Sequence, residues 1–448
     1  MSHALTATVR RVSAPAPALA VVAVVALLAL PLGGSGAGGP GPADVASGLL
    51  VLYCALRLVR DRRRPLSRTA VIVLGLPVVA LAVSAVGAST PEAGITGLVR
   101  YLQVFVLVPA AVMLLIRDRG DFRLPAWSLV GLALWQGAIG VHQYATRTGA
   151  SYQGENIRAV GTFGPQDVMG MATVVAVGLV SAVGLALGSA RHRAVAVGCA
   201  LALLVPLTLS FSRGAWIATA LTCVVQVALA GLRRALKVAA AAVAAAIVLV
   251  GGLGVGTAVL QERLESITRV TAAPDQSVVD RYTMWTAAAS MWREHPLTGV
   301  GLKGFPEHRD GHATPALSSG SDVAGAGTPY RRQPLLSPHN MYLLVLSEQG
   351  LLGLVAFAAS WLGLLVLALR RLWRTRRSPV RDLDCALVAC GLLVWQLTEF
   401  LYGDIGGPST VLTAVCLGLA AWWALAGTGE ATTAPASASR RAEGAVAR

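Results

Sequence analysis

Uncharged apolar runs of about twenty residues recur from one end of this 448-residue sequence to the other, and little else decides so much about its fold. A bilayer core of roughly 30 Å takes about 20 apolar residues per helical crossing. Backbone polar groups inside lipid must bond within their own segment, which favours helices. Only 13% of the residues are charged, against about a quarter in soluble domains. The runs predict an all-α, polytopic membrane protein with about twelve transmembrane helices, at 18–36, 43–60, 69–88, 100–116, 125–145, 167–189, 194–211, 214–231, 238–258, 340–368, 383–402 and 409–427. The first run reads as a retained helix. As a cleaved signal peptide, the alternative, it would leave about eleven spans.

The net charge of +15 is distributed in a way that excludes a nucleic-acid surface. Basic residues come in short bursts between apolar runs, at Arg57 to Arg68, Arg117 to Arg123, Arg233 to Lys237 and Arg370 to Arg381. Such bursts follow the positive-inside rule for cytoplasmic loops. With both termini placed inside, the short outer loops retain only Arg100, Arg147, Arg158 and Arg213. No contiguous soluble face gathers the charge that phosphate backbones demand. The cysteines, Cys54, Cys199, Cys223, Cys385, Cys390 and Cys416, all lie in apolar runs. They read as small packing residues, without the grouping that a disulfide framework or a structural zinc site requires.

Four regions follow from this pattern. The N-terminal membrane part covers 1–258, a large extracytoplasmic loop covers 259–339, a C-terminal membrane part covers 340–427, and 428–448 reads as a disordered cytoplasmic tail rich in Ala, Ser and Thr. A loop as long as 259–339 between spans is usually functional or disordered. It opens with a charged, helix-like stretch, Gln261 to Glu265, and holds a second one, Asp280 to Glu294, with Asp280 as N-cap and Pro296 as stop. In that second stretch Trp285, Ala288 and Trp292 recur at helical spacing beside Met284 and Met291. Such a stripe suits a helix lying on the membrane surface. Sequence from Gly299 to Pro338 is rich in Gly, Pro and Ser.

Several polar residues stand where an apolar environment makes them costly. Arg281 precedes Trp285 by four residues, and a guanidinium on an apolar face needs an anion. Snorkelling or pairing with a structural carboxylate is the plainer alternative. Arg213, in Ser210-Phe-Ser-Arg-Gly214, separates two apolar runs on the outer side. Ionisable residues so placed face a cavity and a partner, or lipid headgroups. His339 stands in Ser337-Pro-His-Asn340, just before a span. The positive end of a helix favours neutral imidazole, the form a general base requires, although an interfacial histidine without a role fits the position as well. Glu348 lies nine residues further, at a depth where a carboxylate needs a partner. Glu399 and Asp404 read as counter-ions. His308 and His312 have i, i+4 spacing, but the Gly/Pro content around them argues against a metal-binding helix. Gly299-Val-Gly301 lacks the strand–helix setting of a dinucleotide fingerprint.

Four motifs, in this order and bordering this loop, resemble the O-antigen ligase and Wzy-type polymerase superfamily. They are Arg158-Ala-Val-Gly-Thr-Phe-Gly164, Ser212-Arg-Gly-Ala-Trp216, the block from Asp280-Arg281 through Trp285 to His295-Pro-Leu-Thr-Gly-Val-Gly301, and Pro338-His-Asn-Met-Tyr342 leading to Glu348-Gln-Gly-Leu-Leu-Gly353. The resemblance is closest over about 209–357. It implies a fold like the GT-C-like lipid-donor glycosyltransferases, in the bacterial inner membrane. It implies an enzyme that moves a saccharide from undecaprenyl diphosphate to a hydroxyl of a glycan, lipid or protein acceptor at the outer face. His339 would be the catalytic base, Arg213 and Arg281 would hold the diphosphate, and Arg158, Asn340 and Glu348 would support them. No cofactor and no metal are expected. The competing expectation is a transporter of a small anion or lipid-linked sugar, which would place ionisable residues at the midplane of broken helices.

Overall fold

In a computed structural model of the chain the described residues are 16–31, 41–61, 66–152, 155–231, 233, 236–237, 276–314, 317, 335–377, 383–407 and 409–426. They are almost entirely helical. In chain order the helices are α1 (Ala18–Leu27), α2 (Pro42–Asp61), α3 (Arg68–Val86), α4 (Pro91–Leu102), α5 (Val108–Leu115), α6 (Arg119–Thr146), α7 (Gly170–Gly188), α8 (Arg193–Leu209) and α9 (Arg213–Ala230). Within the loop come α10 (Gln276–Glu294) and α11 (Phe305–His312), and beyond it α12 (Met341–Arg376), α13 (Asp384–Glu399) and α14 (Thr410–Leu425). A short antiparallel hairpin, β1 (Ala150–Tyr152) with β2 (Glu155–Arg158), follows α6.

Among the described residues seven helical elements are long and apolar enough to cross a membrane: α2, α3, the continuous α4–α5, α6, α7, α9 and α12. Four other expected spans form helices, α1, α8, α13 and α14, that are shorter than a full crossing. The run at 238–258 and the helix-like stretch at Gln261 to Glu265 lie outside the described residues.

The ends of these helices follow from local chemistry. Ser67, Thr90, Asp118, Ser212 and Asn340 each turn a side-chain oxygen onto an amide of the first turn, satisfying donors that a helix start leaves without partners. Between α4 and α5 the chain makes one π turn, Gln103–Leu107. Pro109 lacks the N–H that would bond to the Phe105 carbonyl, so the helical ladder is interrupted there.

Helix α7 is the hub of one half, packing against α6, α8, α9 and α13. It is buried along nearly its whole length and is apolar all round, as an enclosed helix should be. Its glycines permit close approach: a Cβ on Gly178 would stand 2.1 Å from that of Ala133 on α6, and one on Gly188 would stand 2.1 Å from the amide nitrogen of Asp384. Small residues serve this purpose between membrane helices. Helix α14 is the second enclosed element, against α5, α12 and α13. On the outside, Leu56, Val59, Ile72, Val79, Val86, Ile95, Ile217, Val224 and Val355 are all more than half exposed, a surface that suits lipid and not water.

Helix α10 corrects one expectation. It starts at Gln276, so Asp280 is inside the helix rather than its N-cap, and it does not offer its apolar stripe to a membrane surface. Met284, Ala287, Ala288 and Met291 are buried, and the helix packs on α12 and α11. Tertiary packing takes the apolar face because α12 offers a protein surface for it.

Candidate active site

The functional candidates converge at the N-terminal end of α12, around the turn 400–407 that follows α13. Asn340 caps α12 by accepting from the Leu343 amide at 3.0 Å, and its side-chain amide donates to the Leu401 carbonyl at 2.8 Å. The Met341 amide reaches both the Phe400 and Gly403 carbonyls, at 2.9 and 3.0 Å. Beneath these bonds Phe105, Tyr342, Phe357, Trp361 and Phe400 cluster, edge to face in Phe105–Phe357 at 5.3 Å and Trp361–Phe400 at 5.2 Å and tilted in Phe357–Trp361. Such pairs fix ring orientation as well as burying area. The start of α12 and the end of α13 are thereby one rigid platform.

On this platform His339 has a left-handed backbone, φ +49°, which turns the chain sharply between Pro338 and the cap. Its imidazole is half exposed, with Nδ1 3.8 Å from Oδ2 of Asp404, whose carboxylate is nearly buried. The same carboxylate oxygen accepts from the Ser337 hydroxyl. A buried carboxylate beside one ring nitrogen sets which nitrogen carries the proton. With Nδ1 turned to Asp404, Nε2 is the nitrogen suited to accept a proton.

The loop helix α10 reaches this platform through Trp285, whose indole N–H donates to the Pro338 carbonyl at 2.9 Å. Arg281, one turn earlier, interacts electrostatically with Glu399 and Tyr402. The Arg213 segment arrives from the other side. Gly214 lies under the Tyr402 ring, where a Cβ would stand 2.4 Å from it. Burial and the nearby Glu399 carboxylate push the Tyr402 hydroxyl far above its usual range, against the opposing pull of Arg281. Arg158 sits one step back. It donates to the Ser210 carbonyl at 3.2 Å and to the Met169 sulfur at 3.1 Å, so it holds the turn that precedes Arg213. Asp167, just before α7, accepts from the Ser409 amide at 3.2 Å and closes the far side of the turn. Burial raises its carboxyl above the usual carboxylate range.

Glu348 lies deeper and its partners are unexpected. The carboxylate is buried and accepts from the Phe305 amide at 3.3 Å, and the Lys303 amide also bonds to it. These are amides of the loop, at the start of α11. Helix α12 breaks at this level: Gly350 has φ +65° and ψ −162°, a region that only glycine occupies readily. The segment 296–302 fills the break. Amides of Val300 and Gly301 donate to the carbonyls of Ser347 and Glu348, at 2.8 and 3.0 Å, while amides of Leu351 and Leu352 donate to the carbonyls of Pro296 and Leu297, at 2.9 and 3.2 Å. In an uninterrupted helix Leu351 and Leu352 would have bonded to Ser347 and Glu348. The loop has replaced two rungs of the ladder by four bonds of its own. Contact is backbone to backbone: a Cβ on Gly299 would stand 2.4 Å from the Glu348 carbonyl carbon, and one on Gly350 would stand 2.3 Å from that of Leu297. Gly299-Val-Gly301, without meaning as a phosphate loop, is the strand of this clasp.

His308 and His312 do lie on a helix, α11, contrary to the expectation from composition. Their Nδ1 atoms face the Gly304 carbonyl at 2.9 Å and the Ser290 hydroxyl at 3.0 Å.

His339, Asn340, Arg281 and the Arg213 segment thus meet around one turn, with Arg158 one step behind the Arg213 segment and Glu348 one layer below. Tyr402 and Ser337 were not singled out from sequence. A lone tyrosine and a serine in a polar loop have no spacing to mark them. Asp404 and Glu399 were visible as counter-ions, but which cation each would face was not.

Compared with known proteins, residues 198–358 match the O-Antigen ligase family. No curated protein matches the chain. The matched stretch takes in Arg213, Arg281, His339 and Glu348, together with both strands of the clasp; Arg158, Glu399 and Asp404 fall outside it.

Proposed function

We propose that this protein transfers a glycan from undecaprenyl diphosphate to an acceptor hydroxyl at the outer face of the bacterial inner membrane, as a ligase or a polysaccharide polymerase. The O-Antigen ligase match supports glycan transfer in general. The single observation that carries the finer reading is the convergence of His339, backed by Asp404, with Arg281 and Arg213 around the turn at Tyr402.

In this reading Nε2 of His339 takes the proton of the acceptor hydroxyl as its oxygen attacks the anomeric carbon of the donor sugar. The bond from that carbon to the diphosphate oxygen breaks, and its electron pair leaves on the diphosphate. Arg281 and Arg213 stabilise the charge that develops on the leaving group, at a depth where low dielectric strengthens the interaction. Asp404 keeps the imidazole in the tautomer the step requires and stabilises the imidazolium that forms. Asn340 fixes the start of α12 and hence the height of His339. Membrane lipids surround about twelve spans, with both termini cytoplasmic and the loop outside.

The transporter reading draws support from a buried carboxylate at a broken helix. Here, however, the break is filled by loop backbone, and Glu348 is spent on loop amides. The enzyme reading accounts for more of the charged residues.

The test is transfer in vitro by purified protein, with a host undecaprenyl-diphosphate oligosaccharide and envelope extract as acceptor. Wild type is expected to release undecaprenyl diphosphate, and His339→Ala to lose about 10²-fold or more of the rate while inserting and melting normally. Full transfer by His339→Ala would remove the assigned base. A verified native donor left intact by wild type would move the case to a flux assay in liposomes.

A further inference from the structure

We infer that Glu348 is a positioning residue for the proposed transfer, acting through the clasp between the loop and α12 rather than on substrate. The inference rests on the glycan-transfer reading of the site above. Arg281 and His339 belong to different parts of the chain: one on α10 in the loop, the other at the start of α12. Their relative position is set by what joins loop to span. Trp285 on Pro338 is one joint, at the top. Beside the packing of α10 on α12, the clasp is another, at the height of Gly350, and it consists of the four backbone bonds of 296–297 and 300–301 to 347–348 and 351–352.

Just past the clasp the Leu302 amide donates to the Ser84 carbonyl of α3 at 3.1 Å, and Leu302 is buried. After Gly301 the chain must turn into α11, whose N-cap position is Gly304 and so has no side chain of its own to cap the helix. The Glu348 carboxylate performs the capping from α12, accepting from the Phe305 and Lys303 amides. Helix starts attract carboxylates for this reason. One side chain, buried within the break, therefore ties the end of the clasp to the start of α11. Helix α11 in turn packs on α10, where His312 meets Ser290. The path from Glu348 to Arg281 runs through α11 and α10, and the path to His339 runs up α12 by its own first two turns.

A positioning role depends on reach and on acceptor atoms. A proton relay or an ion site would depend on charge. Glu348→Gln keeps length and one carbonyl acceptor, while Glu348→Asp keeps charge and loses reach. The experiment pairs two measurements on the full-length protein. The first is the distance distribution between spin labels on Arg293→Cys, exposed on α10, and Val355→Cys, exposed on α12 beyond the break, in a background freed of native cysteines. The second is the transfer rate. Wild type and Glu348→Gln are expected to give one narrow distribution and comparable rates. Glu348→Asp and Glu348→Ala are expected to broaden it and to lower the rate by about tenfold or more, the scale at which small misplacements are felt in catalysis. An unchanged narrow distribution in Glu348→Ala overturns the inference, as does a pattern in which Asp rescues and Gln does not. Should Glu348→Ala fail to fold, the Gln and Asp variants decide alone. Absence of transfer by wild type would instead count against the glycan-transfer reading, since the distance widths report on the clasp without it.

Discussion

At the scale of single residues, the candidate site is a set of charges whose partners are local. His339 alone is an unremarkable interfacial histidine. What distinguishes it is a nearly buried carboxylate, Asp404, 3.8 Å from Nδ1 and held in turn by the Ser337 hydroxyl. Asp404→Asn retains the size of that side chain and a hydrogen-bonding oxygen but removes the charge that favours imidazolium. Its transfer rate is expected to fall by about tenfold or more, with the apparent pKa of the rate profile displaced downward, because a protonated His339 loses its counter-charge. A pH–rate profile identical to wild type would separate Asp404 from the chemistry. Arg158 illustrates the opposite case. It resembles the other arginines in sequence, yet its bonds to Ser210 and Met169 make it a brace for the Arg213 turn.

At the scale of elements, the break in α12 is the feature that most shapes the site. A continuous helix from Met341 to Arg376 would have bonded its own amides at 351 and 352 and left 296–302 without these partners. Gly350 permits the break by adopting a backbone that side chains resist, and Gly299 permits the loop to lie against it. Gly350→Ala is expected to destabilise the protein by on the order of 1–3 kcal/mol from backbone strain alone, before the clash with Leu297 is counted. Thermal unfolding in detergent measures this, with Gly363→Ala as control. Gly363, in the same helix, has only ordinary contacts around an added Cβ, the nearest at 3.9 Å. Equal melting of the two variants would mean that the helix closes the break at little cost. The same reasoning explains α10. Its apolar stripe was readable, but a stripe does not say whether lipid or another helix will cover it.

At the scale of the whole molecule, the charge pattern predicts sidedness. Single cysteines at Arg147 and Tyr282, both exposed, are expected to react with a membrane-impermeant maleimide from outside. Cysteines at Arg60 and Arg374, also exposed, are expected to react only after the membrane is opened. Labelling of all four from one side would refute the topology on which the active loop's location depends. The all-helical membrane character, the position of most helices and the charged residues to look at were legible in the sequence, because apolar runs and misplaced charges are local properties; Tyr402 and Ser337 were not. Nor was the rest. Lipid and protein interior are equally apolar, so hydropathy could not tell the enclosed α7 and α14 from the lipid-facing α2, nor say that α10 packs on protein. Glycines mark freedom without saying what it is used for, and only the crossing of 296–302 over α12 gave Gly299 and Gly350 their meaning. Sequence determined the solvent this chain is built for and the chemical groups it brings; tertiary structure decided which of them meet, because contacts between segments distant in the chain leave no periodicity in either one.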